Sequence, residues 1–311
     1  MMRSLYSAIS GLKNHQTMMD VIGNNIANVN TTGFKSSRVT FATQLSQTLR
    51  GASAPDTVNT PPAYGGTNAV QVGLGAALGS IDQIMNQGST QTTGNATDMM
   101  IQGDGFFVLS NNGQTVYTRA GNFTLDSEGN LVSPGSGALV QGQMFNATTT
   151  AFDPNATPLL QTIKFKLGDT WDSTNGNVAN TGNPPSNLTL TSYTIDKNGV
   201  ITGVYTDSTT GQSQIHQIGQ IALASFPNPS GLQNIGGSFY TTSNNSGNAD
   251  IGTANTGGRG SIMSSALEMS NVDLSQEMTN MIVAQRGFQA NSRVITVSDT
   301  LLQELIDLKR Q

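Results

Sequence analysis

Between Arg3 and Val29 apolar residues return at seven-residue steps as Leu5, Leu12, Met19 and Ile26, with Ile9 beside them and a second row at Ala8, Ile22 and Val29. That spacing predicts an α-helix with one apolar stripe, interrupted by His15. The same step returns near the other end as Leu274, Met281, Phe288, Ile295 and Leu302, flanked by Met278, Ala284, Leu305 and Ile306. Neither segment contains proline, and at 1.5 Å per residue they form rods of roughly 40 and 55 Å. Ser270-Asn271-Val272-Asp273 offers capping side chains ahead of the second helix, and the cluster Asn28, Asn30, Thr31, Thr32 and Gly33 ends the first.

The middle of the chain follows a different rule. Short apolar runs alternate with turn clusters: Gly105 to Leu109 before Asn111-Asn112-Gly113, Phe123 to Leu125 before Asp126 to Asn130, and Tyr193 to Ile195 before Asp196 to Gly199. These are strand and hairpin signals. The expected fold is mainly β with long terminal α-helices, the two helices paired as a coiled-coil-like core. Residues 1–30 and 270–311 make that helical core, and 31–70, with Pro55, Pro61 and Pro62, a connector or arm. Residues 71–145 and 218–269 make an inner β domain, and 146–217 an inserted outer β domain.

Composition narrows the chemistry. Asn, Gln, Ser and Thr total 120 of 311 residues, charged residues are 11%, and cysteine is absent. Disulfide frameworks, zinc–thiolate sites and thiol nucleophiles are thereby excluded. Residues 1–50 lean basic, but the net charge of -5 argues against nucleic acid. No apolar run approaches the ~20 residues of a membrane span, and the N-terminus lacks the apolar core of a cleaved signal.

Gly103-Asp104-Gly105 and Gly257-Gly258-Arg259-Gly260 lack the Lys-Ser/Thr and strand-to-helix context of phosphate loops and read as turns. Asp126 to Asn130 lacks a calcium loop's glycine and closing glutamate positions, and reads as a hairpin turn. His15 and His216 stand 201 residues apart with no carboxylate cluster to join. Catalytic, cofactor and metal residues are therefore expected to be none, and the chain is expected not to be an enzyme.

The helical stripes remain. They pack on each other within one chain, or on the stripes of neighbouring copies in a head-to-tail filament. The second reading makes Leu5, Ile9, Leu12, Met19, Ile22, Ile26, Leu274, Met278, Met281, Phe288, Ile295, Leu302 and Leu305 self-assembly residues. It also leaves residues 1 to about 30 and 270–311 disordered in an isolated chain.

The run Asn24-Asn25-Ile26-Ala27-Asn28-Val29-Asn30-Thr31-Thr32-Gly33-Phe34-Lys35 resembles the N-terminal signature of the bacterial flagellar rod and hook family. The run from Leu267 through Asn271, with Gln285-Arg286-Gly287-Phe288-Gln289-Ala290-Asn291, is similar to its C-terminal signature. The signature positions are Asn24, Asn25, Asn28, Gly33, Phe34, Lys35, Asn271, Gln285, Arg286 and Asn291. Between the family's hook and distal-rod types, Phe288-Gln289 and the insert lean towards the hook. The resemblance implies a helical homopolymer with paired terminal helices as its inner tube and no cofactor. Its implied partners are further copies of itself, the distal rod, hook-cap and hook–filament junction proteins, and the flagellar type III export apparatus. It implies an extracellular place in the flagellum, reached without a cleaved signal and without membrane insertion. A secreted β-rich enzyme or adhesin with helical anchors is the alternative of another class.

Overall fold

The computed structural model describes residues 2–55, 65–145, 160–169, 188–207 and 211–310. The expected connector's residues 56–64 and the insert's 146–159, 170–187 and 208–210 lie outside the described residues. The chain divides into two compact units, one of residues 1–27, 37–84 and 272–311 and the other of 28–36 and 85–271.

The first unit holds both helices, α1 (Met2–Ala27) and α2 (Leu274–Arg310). Asp273 caps α2: its Oδ1 accepts from Ser275 N at 2.9 Å and Gln276 N at 3.2 Å. This satisfies amides that lack an intrahelical partner. The helices pack against each other, so each stripe finds its partner inside the chain.

The same unit contains two antiparallel ribbons, β1 (Ser37–Thr43) with β4 (Ala76–Gln83) and β2 (Ser46–Arg50) with β3 (Val70–Gly73). Gln44 N donates to Gly75 O between them, at 3.0 Å. The expected connector of 31–70 is thus drawn differently. Residues 37–84 belong with the helices, because strands on either side, in sequence, of the proline-containing stretch pair with each other. Thr40 and Ser80 meet across the first ribbon, 2.7 Å apart, and Gln71 donates to Thr48 across the second at 3.2 Å.

The second unit is built on a 13-stranded sheet. Its path runs β13 (Leu188–Ile195), β14 (Val200–Asp207), β15 (Ser213–Ile221), β11 (Leu139–Met144), β7 (Phe106–Asn111), β8 (Gln114–Thr118), β18 (Phe239–Thr241) and β17 (Gln233–Gly236). The run Phe106-Phe107-Val108-Leu109 is apolar throughout because β7 is covered on both faces. Phe107 and Leu109 enter one core with Phe123, Val140 and Ile221, and Phe106 and Val108 another with Tyr117, Phe226 and Tyr240. Phe107 and Phe123 meet edge to face at 5.2 Å.

Turn chemistry fixes the registers. Asn112 and Gly113 have φ of 50° and 82°, as a two-residue hairpin between Asn111 and Gln114 requires. The expected outer domain of 146–217 is not separate in its described part. β14 pairs β15 and β15 pairs β11 through Gly142↔Ile221 and Met144↔Gly219, which continues the body's own sheet. Gly142 and Gly219 permit this approach, since a side chain on either would strike the facing strand's backbone.

Truncating Phe107→Ala should destabilise the second unit by about 3–5 kcal/mol, through lost burial and a residual cavity. Urea unfolding followed by near-ultraviolet circular dichroism would measure it.

Candidate assembly surface

Three contacts define how the helices meet. A side chain added at Gly11 would strike Asn291, one at Gly287 would strike the His15 ring at 2.5 Å, and Asn25 Nδ2 donates to Glu277 Oε1 at 3.2 Å. All three fit one antiparallel register, in which residue n of α1 faces residue 302 − n of α2. Ile22, Ala8 and Ala284 are buried in this seam, and Leu5, Leu12, Met19, Ile26, Met281, Phe288, Ile295 and Leu302 are half-buried along it.

Polar and small residues interleave with these apolar ones. Asn25 is buried and also binds the start of β1, donating to Ser37 O at 2.8 Å and accepting from Ser37 N at 3.0 Å. Ser298, buried on α2, returns its hydroxyl to Val294 O at 2.8 Å. Glycine at 11 and 287 makes room for Asn291 and His15. A polar residue at a seam position penalises every register that leaves it unpaired, so these contacts specify alignment more than strength. The sequence reading took Asn25 and Asn291 only as signature positions. Their role needed the facing helix, and the 302 − n relation becomes readable once one pair is known.

The register leaves α2 longer than its partner. Met2 faces position 300, so the last turns of α2 carry Leu305, Ile306 and Leu308 at 51%, 60% and 70% exposure. A second apolar line, Val283, Val294, Val297, Leu301, Leu305 and Leu308, runs along α2 outside the seam and is exposed throughout. Of the expected assembly residues, Leu274, Met278 and Leu305 are exposed and Ile9 stands at the seam's edge.

The ribbons repeat this one-sidedness. Val39 pairs Ile81 and Phe41 pairs Leu78, with Phe41, Leu78 and Ile81 exposed. Leu45, Leu49, Val70, Val72 and Leu74 are exposed as well, Leu45 at 84%. A two-stranded ribbon is marginal in water without a covering layer, and exposed apolar area of this extent marks an interaction surface.

The other signature residues serve the second unit. Gly33, at φ 68°, donates its N–H to Glu268 O at 2.8 Å and lies so close to Ala120 that a side chain would strike its backbone. Lys35 is buried with its Nζ 2.6 Å from Glu268 Oε1 and donates to Asn86 O at 2.8 Å. Burial lowers its pKa from the ordinary lysine value, against the opposing pull of Glu268. Asn271 accepts from Ser36 N at 2.8 Å. Asn28 accepts the Thr31 hydroxyl at 3.0 Å just past α1, and Phe34 is half-buried. Asn24, Gln285 and Arg286 are exposed on their helices.

The candidate loops have become turns. Gly103 and Gly105 have φ of 104° and 129°, with Asp104 O accepting from Gly260 N at 2.6 Å. Asp126 takes hydrogen bonds from Asn130 Nδ2, Asn130 N and Glu128 N, and the Asn130 side chain leads in holding its carboxyl below the usual range. Among the described residues no group of three His, Asp or Glu side chains is placed to hold a metal ion.

A chain with a helical pair whose outer faces are apolar and uncovered, joined to a β body, belongs to the class of subunits that complete their fold by assembling. Comparison with known proteins gives that class its family. Residues 5–35 match the model of flagella basal body rod proteins, 100–203 that of the flagellar hook protein FlgE/F/G D1 domain, and 263–308 that of the flagellar basal body rod FlgEFG protein C-terminal region. The flagellar basal-body rod protein FlgG of Bacillus subtilis is 43% identical over 311 aligned residues, covering all of both chains. The flagellar hook proteins FlgE of Borreliella burgdorferi and Treponema pallidum are 34% and 32% identical, over 451 and 473 aligned positions, covering 99% and 100% of this chain and all of each relative. The chain belongs to the flagellar rod and hook axial protein family.

Replacing Asn25 with Ala should cost the first unit roughly 1–3 kcal/mol, because Ser37 N and O lose their partner. Amide exchange of Ser37 should quicken accordingly. Charging the outer line with Leu301→Asp and Leu305→Asp should leave α1 and α2 paired, by helical circular dichroism, while polymer formation in sedimentation assays falls at least ~10-fold.

Proposed function

We propose that this chain is the structural subunit of the flagellar hook, polymerising into a curved, flexible tube that passes motor torque from rod to filament. The observation that carries polymerisation is the exposed apolar line from Val283 to Leu308, together with the exposed apolar residues of the ribbons. Further copies of the same chain are the proposed occupants, with α1 and α2 lining the tube. The distal rod, the hook cap and the hook–filament junction proteins are its proposed neighbours at the two ends. Export through the flagellar type III apparatus is the proposed route out of the cell.

The hook type is supported by the tail Arg286-Gly287-Phe288-Gln289-Ala290, where rod proteins more often carry a Tyr-Glu pair in place of Phe288-Gln289. Gly287 has a local task, since only its missing side chain admits the His15 ring. A body surface rich in Asn, Gln, Ser and Thr and poor in charge suits subunits that exchange polar contacts while a bent tube rotates. Such neutral contacts are weaker than charge-assisted ones and reform at small displacement.

The distal rod, a straight drive shaft, is the second reading. It is favoured by the 43% identity to a protein named as a rod subunit, along the whole of both chains. Electron microscopy of tubes grown from the purified chain separates the two. Curved or supercoiled tubes are expected for a hook subunit, whereas tubes that stay straight under all solution conditions would transfer the assignment to the rod. A chain that remains monomeric at high concentration, with or without a preformed end, would contradict both.

A further inference from the structure

The chain passes between its two units four times, at 27/28, 36/37, 84/85 and 271/272. The second unit gathers the residues beside three of these passages, 36/37, 84/85 and 271/272, around one carboxylate. Glu268 Oε1 receives Lys35 Nζ at 2.6 Å and Gly88 N at 2.9 Å, and Oε2 receives Arg119 NH1 at 3.2 Å. Its backbone O receives Gly33 N at 2.8 Å. One residue on, Met269 N donates to Ser89 O at 2.9 Å. Asn271 accepts from Ser36 N at 2.8 Å and donates to Asn86 O at 3.1 Å.

Segments 33–36, 86–89 and 268–271 are therefore tied to one another, and Arg119 anchors the knot to the body by donating to Gly103 O at 2.8 Å and stacking over the Phe106 ring at 5.4 Å. The three charged side chains are between 0% and 4% exposed. Gly88 lies so close that a side chain there would overlap Met269 O. Water cannot replace these bonds one at a time, and losing any partner strands a buried charge.

We propose that Glu268, Lys35 and Arg119 form a mechanical latch that keeps the second unit closed when its two chain ends are pulled apart. The geometry suits that task. Gly33–Glu268 and Ser36–Asn271 join the segment leaving α1 directly to the segment entering α2, so once the paired helices have separated, tension between the termini reaches these bonds first in the second unit. Several charge-assisted bonds must then break together instead of in succession. The use of this latch in carrying torque rests on the assembly reading above, but its existence does not.

Two measurements on the purified, unpolymerised full chain test it, using Lys35→Met, which keeps the aliphatic stem, and Glu268→Gln. In hydrogen exchange the amides of Gly33, Ser36, Gly88 and Met269 should open at least ~10-fold faster in both variants, with Leu109 and Ile221 unchanged. Held at constant force between its termini, the second unit should rupture at least ~10-fold faster in both. Unchanged exchange at all four amides would overturn the latch. So would an increase shared equally by Leu109 and Ile221, which would make Glu268 an ordinary core residue, or a rupture rate equal to that of the parent chain. Because no polymer is involved, failure here is distinguishable from failure to assemble.

Discussion

The first unit has more apolar surface than it has layers to cover it. Two helices can bury one stripe each against the other, and although α1 also packs on the ribbon of β1 and β4, the ribbons leave apolar side chains exposed. What remains exposed is aliphatic and linear: Val294, Val297, Leu301, Leu305 and Leu308 on α2, and Leu45, Leu49, Val70 and Val72 on the ribbons. Tertiary packing rather than helix propensity stabilises most protein helices, so covering this surface is the step that would complete the unit. Repetition of one chain in a helical array supplies that cover with the same contact each time.

The second unit stands apart from that dependence. Its sheet carries a core on each face, its turns are specified by local chemistry such as Asn112-Gly113, and its large aromatic residues Phe107, Phe123, Phe165 and Tyr240 are buried without outside help. Under the assembly reading, a subunit divided in this way would keep a packed β body before its helical pair met neighbouring copies. The buried ions at Glu268 hold together the segments beside three of the four chain passages between the units, 33–36, 86–89 and 268–271.

Much of this was legible from periodicity. The seven-residue rows located both helices to within a few residues, and the turn clusters located the principal hairpins. The ribbons and the true extent of the sheet were not legible, for physical reasons. The strands of the ribbons pair across a stretch of sequence holding Pro55, Pro61 and Pro62 that reads as a connector, and pairing such as Gly142↔Ile221 is a long-range fact carried by glycines that look like turns. The polar members of the seam were hidden similarly. Asn25, Gly11 and Gly287 make sense only opposite Glu277, Asn291 and His15. Lys35 was legible only as a signature position, and its pairing with Glu268 needed the fold to close their 233-residue separation in sequence to 2.6 Å.

The central claim is that the outer face of α2 is covered by other copies of this chain. Hydrogen exchange compared between monomer and polymer, resolved along residues 294–308, tests it most directly. Strong protection gained there on polymerisation, with Phe106 to Asn111 protected equally in both states, is the predicted result. A polymer in which residues 294–308 exchange as fast as in the monomer would contradict the account.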